Sequence, residues 1–168
     1  MERLYSPWRS QYIEEFDKQE GCFLCNAYKS QDDEKNLVLY RGKKCFIIMN
    51  LYPYNAGHVM VCPNNHVGDF TSLDEETLCE LSKLTQLSIK AIKEALKPDG
   101  FNLGFNLGRA AGAGLEEHIH NHVVPRWIGD TNFMPVIGEV KVISQDLKEI
   151  YKKIKAALKK IEKGEGDG

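Results

Sequence analysis

No stretch of this 168-residue chain approaches the roughly 20 consecutive apolar residues that a membrane-spanning helix needs. The opening residues also lack the apolar core of a secretion signal, so a cytoplasmic location and no membrane partner are expected. Neither charge sign dominates. With 22 basic and 24 acidic residues the net charge is only −2, which gives no reason to expect nucleic acid as a partner. There is no internal repeat and no Pro/Gly/Ser-rich linker, so a single domain over 1–168 is expected. Five cysteines are an odd number and do not suggest a disulfide framework. Two of them, Cys22 and Cys25, stand as C-x-x-C, which in a reducing compartment reads as a metal or redox site.

Three of the five histidines lie within five residues, in Glu117-His118-Ile119-His120-Asn121-His122-Val123-Val124-Pro125. Alternation with β-branched residues predicts a strand with His118, His120 and His122 on one face. Four other strands are read at Leu37–Tyr40, Cys45–Met49, His58–Pro63 and Phe101–Leu107. Residues 26–36 read as a loop. Asp74 or Ser72 can cap a long helix ending near Lys97, with Leu78, Leu81, Leu84, Leu87, Ala91, Ile92 and Ala95 as its core stripe. A second helix follows Ser144 and buries Leu147, Ile150, Tyr151, Ile154, Ala157, Leu158 and Ile161. Trp8, Tyr12, Ile13 and Phe16 fit a short docked helix in an N-terminal extension (1–20), and 164–168 read as a frayed tail. The expected architecture is α+β: a five-stranded antiparallel sheet, one long helix between strands and one at the end.

Metal ligation and phosphate chemistry both follow from side-chain type. Cys22 and Cys25 supply half of a tetrahedral sulfur/nitrogen site of the kind zinc favours, and His66 and His118 are placed to complete it. Two other readings stand beside it. Zinc could sit on His118, His120 and His122 as a hydrolytic centre, although three in-line strand positions converge poorly. A redox dithiol at Cys22/Cys25 lacks a βαβ context. Cys45, Cys62 and Cys79 are read as core. His120, central in its row, can act as a nucleophile towards phosphorus if Nδ1–H is held and Nε2 is free. Just before it, Gly112 and Gly114 let backbone amides form an anion nest.

These motifs, with Asn55-Ala56-Gly57-His58-Val59-Met60-Val61-Cys62-Pro63-Asn64-Asn65-His66, resemble the histidine-triad (HIT) family of nucleotide hydrolases and transferases. The resemblance covers about residues 20–130 in the family's order. Pro7-Trp8-Arg9 and residues 125–135 look like the branch that splits diadenosine polyphosphates. The resemblance implies a homodimer built through the long helix and an adjoining strand. It implies attack of His120 on the α-phosphorus of a nucleotide conjugate and a nucleotidyl-phosphohistidine resolved by water or orthophosphate. His122 and His58 would bond the phosphate and leaving oxygen, while Asn50 and Asn106 would contact ribose and phosphate. A structural zinc would be held by Cys22, Cys25, His66 and His118. One departure stands out: many relatives carry Gln or Ser where this chain has Gly114 and Leu115. Amides of the glycine loop, Arg109 or a partner-subunit residue would then replace that donor, although Arg109 reads equally as a solvated loop residue. Arg126 and Trp127 lie where they can approach phosphates or base. The alternatives are a nucleoside phosphoramidate or acyl-adenylate hydrolase, or a zinc-stabilised nucleotide-binding module without turnover.

Overall fold

A computed structural model describes residues 2–4, 20–113, 115, 117–132, 140–142 and 145–166. The expected helix around Trp8–Phe16 and the loop position Gly114 lie outside them. The elements are β1 (Glu2–Leu4), α1 (Phe23–Lys29), α2 (Asp33–Asn36), β2 (Val38–Arg41), β3 (Cys45–Met49), β4 (Val59–Pro63), α3 (Glu75–Leu96), β5 (Gly100–Phe105), β6 (Asn121–Arg126), β7 (Val140–Val142) and α4 (Leu147–Gly166). Five strands form one antiparallel sheet, as the sequence predicts, and the structure orders them β2-β3-β4-β6-β5. β1 and β7 add a separate parallel pair that the sequence reading lacks.

Alternation along the strands divides the core into two layers. Cys45, Ile47 and Met49 of β3 join Val59 and Val61 of β4 under α3 and α4. Phe46, Ile48, Met60 and Cys62 face the other way and pack on Leu24 and Ala27 of α1. Both faces being covered is why β3 and β4 read as continuous apolar runs rather than alternating ones.

Residues 26–36 are not loop throughout. α1 occupies Phe23–Lys29, and α2 is started by Asp32, whose side chain accepts from the Lys35 amide at 3.1 Å. Both helices are too short to show an apolar period, and α1 is held by tertiary contacts instead. In α3, Asp74 is the cap, accepting from Thr77 N–H at 2.8 Å. Leu78 is 36% exposed and Cys79 is exposed too, so both fall outside the buried stripe. Thr77, Thr85 and Ser88 lie inside it. Thr85 and Ser88 bury their hydroxyls by donating to the Leu81 and Leu84 carbonyls, at 2.7 and 2.8 Å, which removes the cost of a polar group there.

α4 packs on α3 and also covers the β2 edge. Pairing of β2 with β3 is irregular between Val38 and Tyr40. The carbonyls of Val38 and Leu39 at that irregularity accept from Tyr151 Oη and Lys155 Nζ, each at 2.8 Å. Helix α4 continues to Gly166.

Candidate active site

The three histidines of the row do share a face, but the ladder begins only at Asn121. His118, Ile119 and His120 form an extended lead-in, anchored by Ile119 N–H to the Val67 carbonyl at 2.8 Å. The β4–β6 register pairs Met60 with His122, so His122 stands on the α1 side of the sheet, and Asn121 points to the opposite layer. There the Asn121 amide donates to Thr85 Oγ1 at 3.0 Å. His58 lies diagonally across from His122 on the same face. Extending the β5–β6 register by one pair beyond Phe105/Asn121 sets half-buried Asn106 beside His120.

His118 and His120 then part company. His120 Nδ1 lies 2.8 Å from the His118 carbonyl, an acceptor, so Nδ1 carries the proton and Nε2 keeps its lone pair. His118 turns to Cys22 and Cys25, with Nδ1 3.4 Å from each sulfur. Its own Nε2–H donates to the Pro63 carbonyl at 2.8 Å, leaving the lone pair at Nδ1 aimed at the thiols.

A second chain of bonds fixes the other imidazoles. Tyr54 N–H donates to His58 Nδ1 at 3.1 Å, so the His58 proton is on Nε2. That Nε2–H meets His122 Nδ1 at 2.8 Å, which leaves the His122 proton on Nε2, the outward nitrogen. Burial, and secondarily the neighbouring His120, pushes the His122 pKa down to about 4, so this donor is neutral at physiological pH. Asn50 Oδ1 accepts from Tyr52 N–H at 2.8 Å, turning its NH2 group to within 3.4 Å of His58 Nε2. Two donors meet there, so the contact is packing and the Asn50 hydrogens remain for another acceptor.

Cys22, Cys25, His66 and His118 have ligand atoms all within 4.8 Å of one another, including His66 Nδ1 to Cys25 Sγ at 3.2 Å. Bond lengths of about 2.3 Å to sulfur and 2.0–2.1 Å to nitrogen give tetrahedral edges of about 3.3–3.8 Å, so the set fits one such ion. Burial lowers the His118 pKa and keeps its ring in the neutral form a metal requires. Burial and then Cys22 raise the Cys25 thiol, a cost that a cation between the sulfurs reverses. The pair does open a helix, with Cys22 as the N-cap of α1, but two imidazoles complete the group. Among the described residues no such grouping joins His118, His120 and His122.

Other expectations change. Gly112 adopts φ +88°, a conformation glycine tolerates, but its N–H donates to the Arg109 carbonyl at 3.0 Å within the turn Arg109–Ala111. It supplies the turn rather than a free donor. Arg109 is exposed. Arg126 sits at the far end of β6, opposite Gly100, and is engaged by Asp130 through two bonds of 2.7 and 2.9 Å. Asp130 also accepts from Asn55 Nδ2 at 2.7 Å and from Trp127 N–H at 3.1 Å. Arg126 foremost, then those bonds, hold its carboxyl far below the ordinary carboxylate range. Buried Asn55 donates as well to the Pro125 carbonyl at 3.0 Å, tying the turn before His58 to the end of β6. Sequence reasoning missed Tyr54, Asn55 and Asp130. Asn55 opens the motif that leads to His58 and Tyr54 directly precedes it, and that nearness was the available signal.

Comparison with known proteins places this geometry. A family model described as the HIT domain matches residues 31–127. An AP-4-A phosphorylase of Mycobacterium tuberculosis is 42% identical over 156 residues, covering 89% of this chain and 80% of that protein. A bis(5'-adenosyl)-triphosphatase of Dictyostelium discoideum is 30% identical over 89 residues, covering 53% and 59%. The crystal structure of a Zn-bound histidine triad family protein from Mycobacterium smegmatis superposes with TM-score 0.71 at 28% identity, covering 86% of this chain and 97% of that one. From the single-faced histidine row to the order of its motifs, the chain belongs to the histidine-triad family, the HIT domain family of nucleotide hydrolases and transferases.

Proposed function

We propose that the protein transfers a nucleotidyl group from a diadenosine polyphosphate, with diadenosine tetraphosphate as the substrate and His120 as the nucleophile. The observation that carries this is the His120 tautomer: Nδ1–H is held by the His118 carbonyl, so the Nε2 lone pair is the free one. That nitrogen attacks the α-phosphorus. A P–N bond forms as the bond from phosphorus to the bridging oxygen breaks, and the displaced nucleotide leaves with the electron pair. His122 Nε2–H donates to the departing oxygen or a phosphate oxygen, backed by His58. The Asn50 amide hydrogens and Asn106, beside His120, meet ribose and phosphate. In the second step an oxygen of orthophosphate or water attacks phosphorus, the P–N bond breaks and His120 is regenerated. The name of the M. tuberculosis relative favours orthophosphate as acceptor.

Cys22, Cys25, His66 and His118 are proposed to hold a structural zinc. Bound there, it ties α1 to the sheet lead-in and takes no part in the phosphorus chemistry. A homodimer is proposed through α3 and β5, where Leu78 and Leu103 are 36% and 51% exposed, with Leu107 just past β5 exposed as well.

The test is turnover of diadenosine tetraphosphate with and without orthophosphate, beside His120→Ala. Phosphate-dependent ADP plus ATP identifies a phosphorylase; AMP plus ATP without phosphate identifies a hydrolase. Full activity of His120→Ala, or no product under either condition, overturns the reading.

A further inference from the structure

We propose that Tyr54 is a positioning residue for this reaction: its backbone amide and its ring together hold the His58–His122 pair in the one tautomer that presents the His122 Nε2–H to a departing oxygen. The inference rests on the reading of the site given above.

A neutral imidazole pair joined by one N–H···N bond can run in either direction. If His58 protonates on Nδ1, its Nε2 becomes the acceptor. His122 must then put its proton on Nδ1, and its outward Nε2 presents a lone pair that repels a phosphate oxygen. The choice is made one residue further back. Tyr54 N–H, which can only donate, sits 3.1 Å from His58 Nδ1 and excludes a proton there. The bond of 2.8 Å to His122 then runs one way.

The ring does the second part. Its centroid lies 4.6 Å from that of His58 and 5.7 Å from that of His122, nearly parallel to the latter at 21°. Tyr54 is 41% exposed, whereas His58 is 0% and His122 8% exposed, so the phenol ring is the layer between the pair and water. The groups facing His122 among the described residues are His58 from the turn before β4, His120 from the lead-in to β6, and Tyr54 itself. None is an acid, and burial foremost, then the neighbouring His120, disfavours its protonation. A protonated His122 would carry hydrogen on Nδ1 and confront the His58 Nε2–H, and the pair would separate.

The experiment uses the full chain with 15N-labelled histidine, reading tautomers and titration midpoints by NMR, together with pH profiles of diadenosine tetraphosphate turnover. Tyr54→Phe keeps the ring, and its His122 midpoint should stay closer to the parent's than that of Tyr54→Ala. Tyr54→Ala should raise the His122 midpoint by about one to two pH units, towards the ordinary value near 6.5. The acid limb of kcat should follow it, with kcat at pH 5 down about two- to tenfold and KM changed less than about twofold, as expected of an interaction felt in the transition state. If Tyr54→Ala does not fold, Tyr54→Val carries the same comparison. Tyr54→Ala keeps the backbone amide, so its tautomer should persist while its midpoint rises; an unchanged His122 midpoint in the truncated variant overturns the proposal, as does a His122 proton on Nδ1 in the parent or Tyr54→Phe behaving like Tyr54→Ala. The NMR readout stands without turnover, so a failure of the substrate assignment is recognised separately.

Discussion

Replacing Asp130 by alanine tests whether a network remote from the histidines holds the turn that delivers His58. The carboxylate is 9% exposed and accepts four hydrogen bonds: two from Arg126 and one each from Asn55 and Trp127 N–H. The Arg126 side chain is 43% exposed, so its pair of bonds is screened and contributes only about 1 kcal/mol. The amide donors of Asn55 and Trp127 contribute about 1 kcal/mol each. Asp130→Ala should therefore destabilise the fold by about 3 kcal/mol, or roughly 6–12 °C in Tm for a chain of this size. Asp130→Asn, which keeps the shape and one acceptor, should lose less than half of that. The pH dependence has a definite sign. The carboxyl is held below its unfolded value near 3.9, so its contribution is complete above that pH and is lost as pH falls through the folded value. Urea unfolding of parent and variant should differ by a constant amount from pH 5 to 8, with the gap closing below about pH 4. A gap that persists undiminished to pH 3, or one below about 1 kcal/mol at pH 7, would refute the reasoning.

Further outcomes follow from other contacts. Chelation should remove one zinc per chain and increase amide exchange across residues 22–36 before the sheet, because α1 buries only Leu24 and Ala27 fully; equal protection with and without chelator counts against the metal tie. Tyr151→Phe should cost about 1 kcal/mol in urea unfolding by leaving the Val38 carbonyl without its donor. Leu103→Glu should convert the proposed dimer to monomer in sedimentation while leaving the far-UV spectrum unchanged; retention of the dimer would place the interface elsewhere.

The sheet was legible because its strands are continuous apolar runs bounded by turn residues, and α3 and α4 because they are long enough to display a period. The Cys22/Cys25/His66/His118 cluster follows from ligand type, and it is the grouping that the described residues form. α1 was invisible: seven residues with Leu24 and Ala27 as the buried pair carry no pattern, and tertiary contact holds them. Arg126 reads as able to approach phosphates or base because charge and position say nothing of a partner; Asp130 four residues later takes it. The His118–His120 divergence depends on backbone direction before β6, which the alternation of residue types does not encode.

The covering of the β2 edge by α4 has a consequence for how the sheet can grow. Tyr151 and Lys155 take the carbonyls of Val38 and Leu39, so that margin has no acceptors to offer an incoming strand there. In the strand order the opposite margin is β5, and no described strand pairs with its outer side. Among the described strands, a sheet obstructed at one margin and unpaired at the other favours a single extension. Two copies joined margin to margin through β5 would present only their blocked ends outward, so addition stops at a pair instead of running on into a fibre.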